Sequence, residues 1–184
     1  MQQTSGAGRL LVWDSLAEWT RKRRVQGISS LDALAAWVKA DLRGEPAPPA
    51  GYTGPVTREH FEVFCRLAWV WIRHRKGSVL VIEELADVTW PGRAPAAWGE
   101  ICRKGRHHAA AVYAITQRPA ESDKTIAGNA AVIHAGLMAL PRDRAFIAQY
   151  LDVPAREVEQ LAPLEWIERD MRTRELRRGR VSFR

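Results

Sequence analysis

The sequence contains only two cysteines, Cys65 and Cys102, far apart and with no histidine at ligand spacing. That argues against a disulfide framework and against a cysteine-based zinc site. There is no His-Glu-x-x-His motif, and of the five histidines only His107 and His108 are adjacent. Neighbours on a helix point in different directions, so that pair does not form a ligand set. No apolar run approaches the ~20 residues a membrane helix requires. The longest candidates, Val79–Ile82 and Ala109–Ile115, are strand-sized. Met-Gln-Gln-Thr-Ser at the start has no basic flank followed by an apolar stretch, so no secretory signal is expected, and a cytosolic location is.

Acidic residues are in the minority. Twenty-eight Lys and Arg face 21 Asp and Glu, a formal net charge of +7. The excess is local. Residues 169–184 hold seven arginines against Asp170 and Glu175, a second run is Arg21-Lys22-Arg23-Arg24, and a third is Arg73, Arg75 and Lys76. Clustered arginine suits a polyanion such as nucleic acid, because neutralised phosphates release condensed counterions. A solvated face would carry the same charge without a partner.

What is present is an ordinary globular composition. At 184 residues, 46% hydrophobic and 27% charged, the chain suits one well-buried domain and is not disordered throughout. Eight tryptophans are many for this length. Trp13, Trp37, Trp69, Trp71 and Trp98 fall in or beside regular elements, where packing explains them; Trp19, Trp90 and Trp166 fall in connections, where base stacking is the alternative. Cys65 reads as a small core residue.

Arg9–Asp14 reads as a short buried strand ending in an acid. Ile28–Leu42 reads as a helix with Leu31, Leu34, Ala35 and Val38 on one face, Ser29 or Ser30 as cap and Gly44 as stop. Residues 45–55, with four prolines and two glycines, read as a loop with at most a short extended piece near Tyr52. Thr57 opens a second helix to about His74, striped with Phe61, Phe64, Leu67, Ala68, Trp71 and Ile72, without a capping-box acid. Ser78–Ile82 and Ala109–Ile115 are apolar strands of the type covered on both faces. Between them lie a Pro/Gly loop over 90–95 and a helix over 95–106. Ala130–Leu137 reads as a fourth strand, Pro141 and Pro154 open helices, and Trp166–Asp170 with Leu176–Phe183 reads as a closing hairpin or tail. Strands alternating with helices predict an α/β domain with a mostly parallel sheet.

Ligands of such sheets sit at the carboxyl ends of the strands. Three strands end there in polar groups: Asp14, Glu83-Glu84 and Thr116-Gln117-Arg118. An apolar strand ending in two carboxylates is the Walker-B arrangement, in which one acid holds magnesium and the other polarises the attacking water. A neighbouring amide can donate to a phosphate oxygen and accept from water at once.

The run Val81-Ile-Glu-Glu-Leu-Ala-Asp87, the helix ending Arg103-Lys-Gly-Arg106, and Ala114-Ile-Thr-Gln-Arg-Pro119 together resemble the FtsK/HerA superfamily of DNA-pumping ATPases. The order of elements continues through Asp123–Gly128, Ala130–Leu137 and Pro141-Arg-Asp-Arg144, so the resemblance spans residues 78–152. It implies a RecA-like fold, N-terminally incomplete. The expected division is a partial P-loop ATPase core over 1–163, with strands at 9–14, 78–84 and 110–117, and a basic C-terminal extension, hairpin or tail, over 164–184. It implies ATP and Mg2+ as cofactors, with Glu83 as the metal acid (where the family usually has Asp) and Glu84 and Gln117 as the catalytic pair. Arg118 would join Glu83 at the nucleotide, and Arg142 or Arg144 would serve a neighbouring subunit in trans. Arg172, Arg174, Arg177, Arg178 and Arg180 are the nucleic-acid candidates. Duplex DNA and a homo-oligomeric ring are the implied partners, with no membrane span, in the bacterial host cytoplasm or the virion.

One part of the family pattern is missing. A P-loop needs Gly-x-x-x-x-Gly-Lys-Ser/Thr, and no Gly-Lys pair occurs in the sequence. Thr4-Ser-Gly-Ala-Gly8 is small but has no lysine and leads into a strand. Either the chain is one product of a truncated or split gene, or it has shed hydrolysis and keeps a structural or DNA-holding role. The expectations are therefore a packaging-type ATPase inactive on its own, a non-catalytic nucleic-acid or assembly module, or a Zot-like morphogenesis factor.

Overall fold

The computed structural model describes residues 8–23 and 25–182. The run 4–7, Arg24, Phe183 and Arg184 lie outside them. Five strands form an all-parallel sheet in the order β2-β3-β1-β4-β5. They are β1 (Leu10–Trp13), β2 (Gln26–Ile28), β3 (Ala50–Tyr52), β4 (Val79–Ile82) and β5 (Ala111–Ala114). Strand alternation divides the apolar residues between two faces. Leu11, Trp13, Leu80 and Ile82 join the main core, where the sheet meets α2 (Leu31–Arg43), α3 (Arg58–His74) and α5 (Ala96–Lys104). Leu10, Val12 and Val81 face the other way, onto Trp19 of α1 (Glu18–Arg23) and Val25.

The two long helices start and stop for local reasons. The Ser30 hydroxyl accepts the Ala33 N–H, and Gly44 takes φ +81° to end α2. Thr57 accepts the His60 N–H, and His60 Nδ1 lies 3.0 Å from the same hydroxyl in place of a capping-box acid.

Two strands are too short for periodicity: β3 is the extended piece expected near Tyr52, and β2 takes Ile28, read from the sequence as the start of a helix. β2 and β3 are three residues each, and each carries a central glycine, Gly27 and Gly51, paired in register. Both glycines make room for what lies at the strand tips: a Cβ on Gly27 would sit 3.0 Å from Thr20, and one on Gly51 3.1–3.3 Å from Thr20 and Asp14.

The fourth expected strand does not extend the parallel sheet. β6 (Val132–Gly136) pairs antiparallel with β7 (Glu165–Asp170), which pairs with β8 (Leu176–Arg180). This second sheet has its own core of Ile133, Ala135 and Ile167 against α7 (Pro141–Leu151) and α8 (Ala155–Glu159). Among the described residues no helix is long and apolar enough to cross a membrane.

Candidate functional site at the strand tips

Strands β1, β4 and β5 each run into polar residues, Asp14, Glu83-Glu84 and Thr116-Gln117, and the shared register brings these ends together. The Asp14 N–H donates to Tyr52 O, Glu83 N–H to Trp13 O, and Ile115 N–H to Ile82 O. Beyond β4 the chain turns at Glu84, which has φ +46° and ψ +55°. A glutamate gains nothing from the left-handed region, so the turn holds it there against a cost of ~1–2 kcal/mol. Glu84 stands at the N-terminus of α4 (Leu85–Val88) but makes no cap bond. Its carboxylate instead accepts a 2.9 Å hydrogen bond from Gln117 Nε2, just beyond β5. That pair is exposed, so its carboxylate and amide remain open to a ligand.

Glu83 points to the other side. Its Oε1 accepts a 2.5 Å bond from the indole N–H of Trp19. Trp19 is set in turn by Asp14, fully buried, whose Oδ1 accepts the Trp19 N–H at 3.2 Å. Asp14 Oδ2 accepts the Thr20 N–H and hydroxyl, both at 2.8 Å. Nothing in the residue order marks Trp19 for a polar task except its spacing five residues past a strand-ending acid. The same device recurs with Trp71 on Asp41 and Trp98 on Asp123, at 2.9 and 2.8 Å.

Burial holds the Glu83 carboxyl above the ordinary carboxylate range, the Trp19 bond opposes this, and the charges of Asp14, Glu18 and Glu84 add to the rise. A carboxyl raised by folding penalises the ionised fold. The penalty is absent below the unfolded-state pKa and complete above the folded one. Glu83→Gln is therefore expected to raise the thermal midpoint at about pH 8 and to lose that advantage towards about pH 4. An equal shift at both pH values would contradict the burial account.

For magnesium the residues fit. Glu83 offers a hard oxygen donor braced by Trp19, and Mg2+ typically takes one or two carboxylates and completes its shell with phosphate and water. For a triphosphate they are incomplete, since no Gly-Lys loop occurs in the sequence.

The other candidates are more dispersed. Arg118 is paired with Glu121, and its Nε lies 3.4 Å from Asp143. Arg142 pairs with Glu121 as well. Arg144 donates to the carbonyls of Met138 and Ala139 at 3.1 and 2.7 Å and reaches Glu159, so its guanidinium braces the turn before α7. The five C-terminal arginines do not form one patch. Arg172 and Arg174 sit at the β7–β8 turn, Arg177 pairs with Glu175, and Arg178 pairs with Glu157. Alternation along β8 puts Arg178 and Arg180 on the side of Leu176 and Arg177 on the opposite face. Arg75, in another basic run, is drawn to Asp41 at 3.2 Å. Of the three tryptophans expected in connections, Trp19 lies in α1 and Trp166 in β7, across Gly179, and only Trp90 lies in a connection, under the Arg58 guanidinium at 4.3 Å.

A parallel sheet with paired carboxylates on one tip and an amide on the next has a RecA-like architecture. No known family profile matches the chain. The chain is 35% identical over 153 residues to protein P9 of Pseudoalteromonas phage PM2, covering 83% of this chain and 67% of P9. The genome packaging NTPase B204 of Sulfolobus turreted icosahedral virus 2, solved with AMPPCP, superposes with a TM-score of 0.77 at 14% identity, over 99% of this chain and 87% of B204. The bacterial conjugative coupling protein TrwB superposes with a TM-score of 0.55 at 13% identity, over 81% of this chain and 43% of TrwB. The chain belongs to the same family as protein P9, and its fold is that of the genome packaging NTPase B204.

Proposed function

We propose that the chain is the ATP-site-bearing part of a phage genome-packaging motor, acting on duplex DNA as a ring of identical subunits. The observation that carries this is the 2.9 Å bond from Gln117 to Glu84 across the tips of adjacent parallel strands. In that reading Glu84 accepts a proton from the attacking water and Gln117 reports whether a γ-phosphate is present. Glu83 would hold magnesium, which would supply charge neutralisation for a bound triphosphate. Arg118 lies beside the nucleotide, and Arg142, on a half-exposed side chain, is better placed than Arg144 to reach a neighbouring subunit. The basic excess, including the arginines of the β7–β8 hairpin, grips phosphates without reading sequence.

The missing phosphate cradle has a natural place. β5 is an edge of the parallel sheet among the described residues, and Ala111, Val112, Tyr113 and Ala114 are all partly exposed. A further parallel strand on that edge would end beside Gln117 and Glu84, where a glycine-rich loop could hold a triphosphate. Without such a loop, the 184-residue chain alone is expected to show no magnesium-dependent ATP hydrolysis. Turnover by this chain that disappears in Glu84→Gln would overturn that expectation.

The absent Gly-Lys pair favours a second reading, a DNA-holding or assembly module without catalysis. Filter binding to duplex DNA across a salt series, run beside an ATP titration, separates the two. Nucleotide binding lost on changing Glu83 or Gln117 supports the motor; salt-sensitive DNA binding without nucleotide binding supports the module.

A further inference from the structure

The turn that presents Gln117 is held from both sides. On the sheet side, Leu85 N–H donates to Ile115 O at 3.0 Å, tying β5 to the Glu84 turn. On the far side stands Asp143, in the first turn of α7 and 1% exposed. A carboxylate that deeply placed is rarely found unpaired. Asp143 Oδ1 accepts the backbone N–H of Ala120 at 2.9 Å. Its Oδ2 faces Arg118 Nε at 3.4 Å, and neither of these two atoms has a hydrogen-bond partner among the described residues, so charge holds them together. Arg118 also grips Glu121, which pairs with Arg142 beside Asp143 on α7. Inside the turn, Arg118 N–H donates to the Thr116 hydroxyl at 3.1 Å and Glu121 N–H to Arg118 O at 3.0 Å. Residues 116–121 thus carry Gln117 between two separate hydrophobic cores, and Asp143 supplies the attachment to the second.

We infer that Asp143 is a positioning residue: through Arg118 and the Ala120 amide it fixes the turn that aims Gln117 at Glu84, and it makes that turn move with the arginine-bearing antiparallel sheet. The inference rests on the reading of Gln117 as the nucleotide sensor only for its use; the link itself needs no nucleotide. A change that lengthens the Gln117–Glu84 bond would pull on α7, and a force on the second sheet would reach Gln117 by the same route.

The test uses the full chain without nucleotide. The Gln117 side-chain amide is followed by NMR, assigned by its disappearance in Gln117→Leu, and backbone exchange is followed over 116–121. Asp143→Asn keeps an acceptor for Ala120 and removes the charge. It is expected to move the Gln117 amide resonance and to speed exchange across 116–121 by ~10-fold or more, leaving β6–β8 protected. Ile147→Val, in the same helix and the same second core, is expected to lower stability without moving the Gln117 resonance. If Asp143→Asn does not fold, Arg118→Gln removes the other half of the pair from a partly exposed position and is expected to give the same signature. A Gln117 resonance unmoved by both variants, or moved as far by Ile147→Val, would overturn the inference. Either result leaves the motor proposal standing, because that proposal is decided by nucleotide binding and its loss on changing Glu83 or Gln117.

Discussion

Asp14→Ala is expected to destabilise the protein by about 3–5 kcal/mol, because three donors lose a charged acceptor inside the fold. Asp14 is fully buried and takes the Trp19 N–H, the Thr20 N–H and the Thr20 hydroxyl. Alanine leaves those donors facing a gap beside Gly51, which approaches too closely to admit much solvent. A second effect follows at the site: Trp19, no longer set by Asp14, ceases to brace Glu83, and tryptophan emission changes in the folded baseline. Urea unfolding followed by circular dichroism and by fluorescence measures both. A loss below about 1 kcal/mol would mean that α1 peels away without the sheet noticing, and that the Asp14–Trp19–Glu83 chain is not part of the cooperative fold.

Trp13→Ala is expected to cost a similar ~3–5 kcal/mol, through lost packing and the cavity left behind. Trp13 is 1% exposed, lies over Tyr52 with ring centroids 5.1 Å apart, and is met edge-on by Phe61 and Phe64, each at 5.2 Å. Its indole N–H is buried with no partner among the described residues. Removing that unsatisfied donor offsets part of the lost volume, so Trp13→Phe is expected to cost under about 2 kcal/mol. Equal losses for the two substitutions, read from urea midpoints at constant slope, would show that the ring's outer atoms and not its bulk hold the aromatic cluster.

Much of this architecture was legible in the residue order. α2 and α3 announce themselves by stripe and cap, since Ser30, Gly44 and Thr57 act within one turn of their own positions. β1, β4 and β5 announce themselves as short apolar runs; for β7 and β8 the sequence left a hairpin and a tail both open, and the structure makes them a hairpin. β3 was visible only as a short extended piece near Tyr52, and β2 was hidden, because a three-residue strand with glycine at its centre has no periodicity to display. β6 was visible as a strand but not in its partner: an apolar run says that a strand is covered, and does not say which neighbour covers it.

The residue sequence by itself determined the long helices, the apolar strands β1, β4 and β5, the adjacent carboxylates at Glu83 and Glu84, and the amide at Gln117, because these depend on neighbours a few positions away. Only the tertiary structure decided that Gln117 reaches Glu84, that Trp19 reaches Glu83 and that Arg118 meets Asp143. It also distributed the C-terminal arginines over two faces and a turn. Those contacts join side chains 25 to 64 positions apart, and strand register and helix crossing set such distances; local spacing carries no information about them.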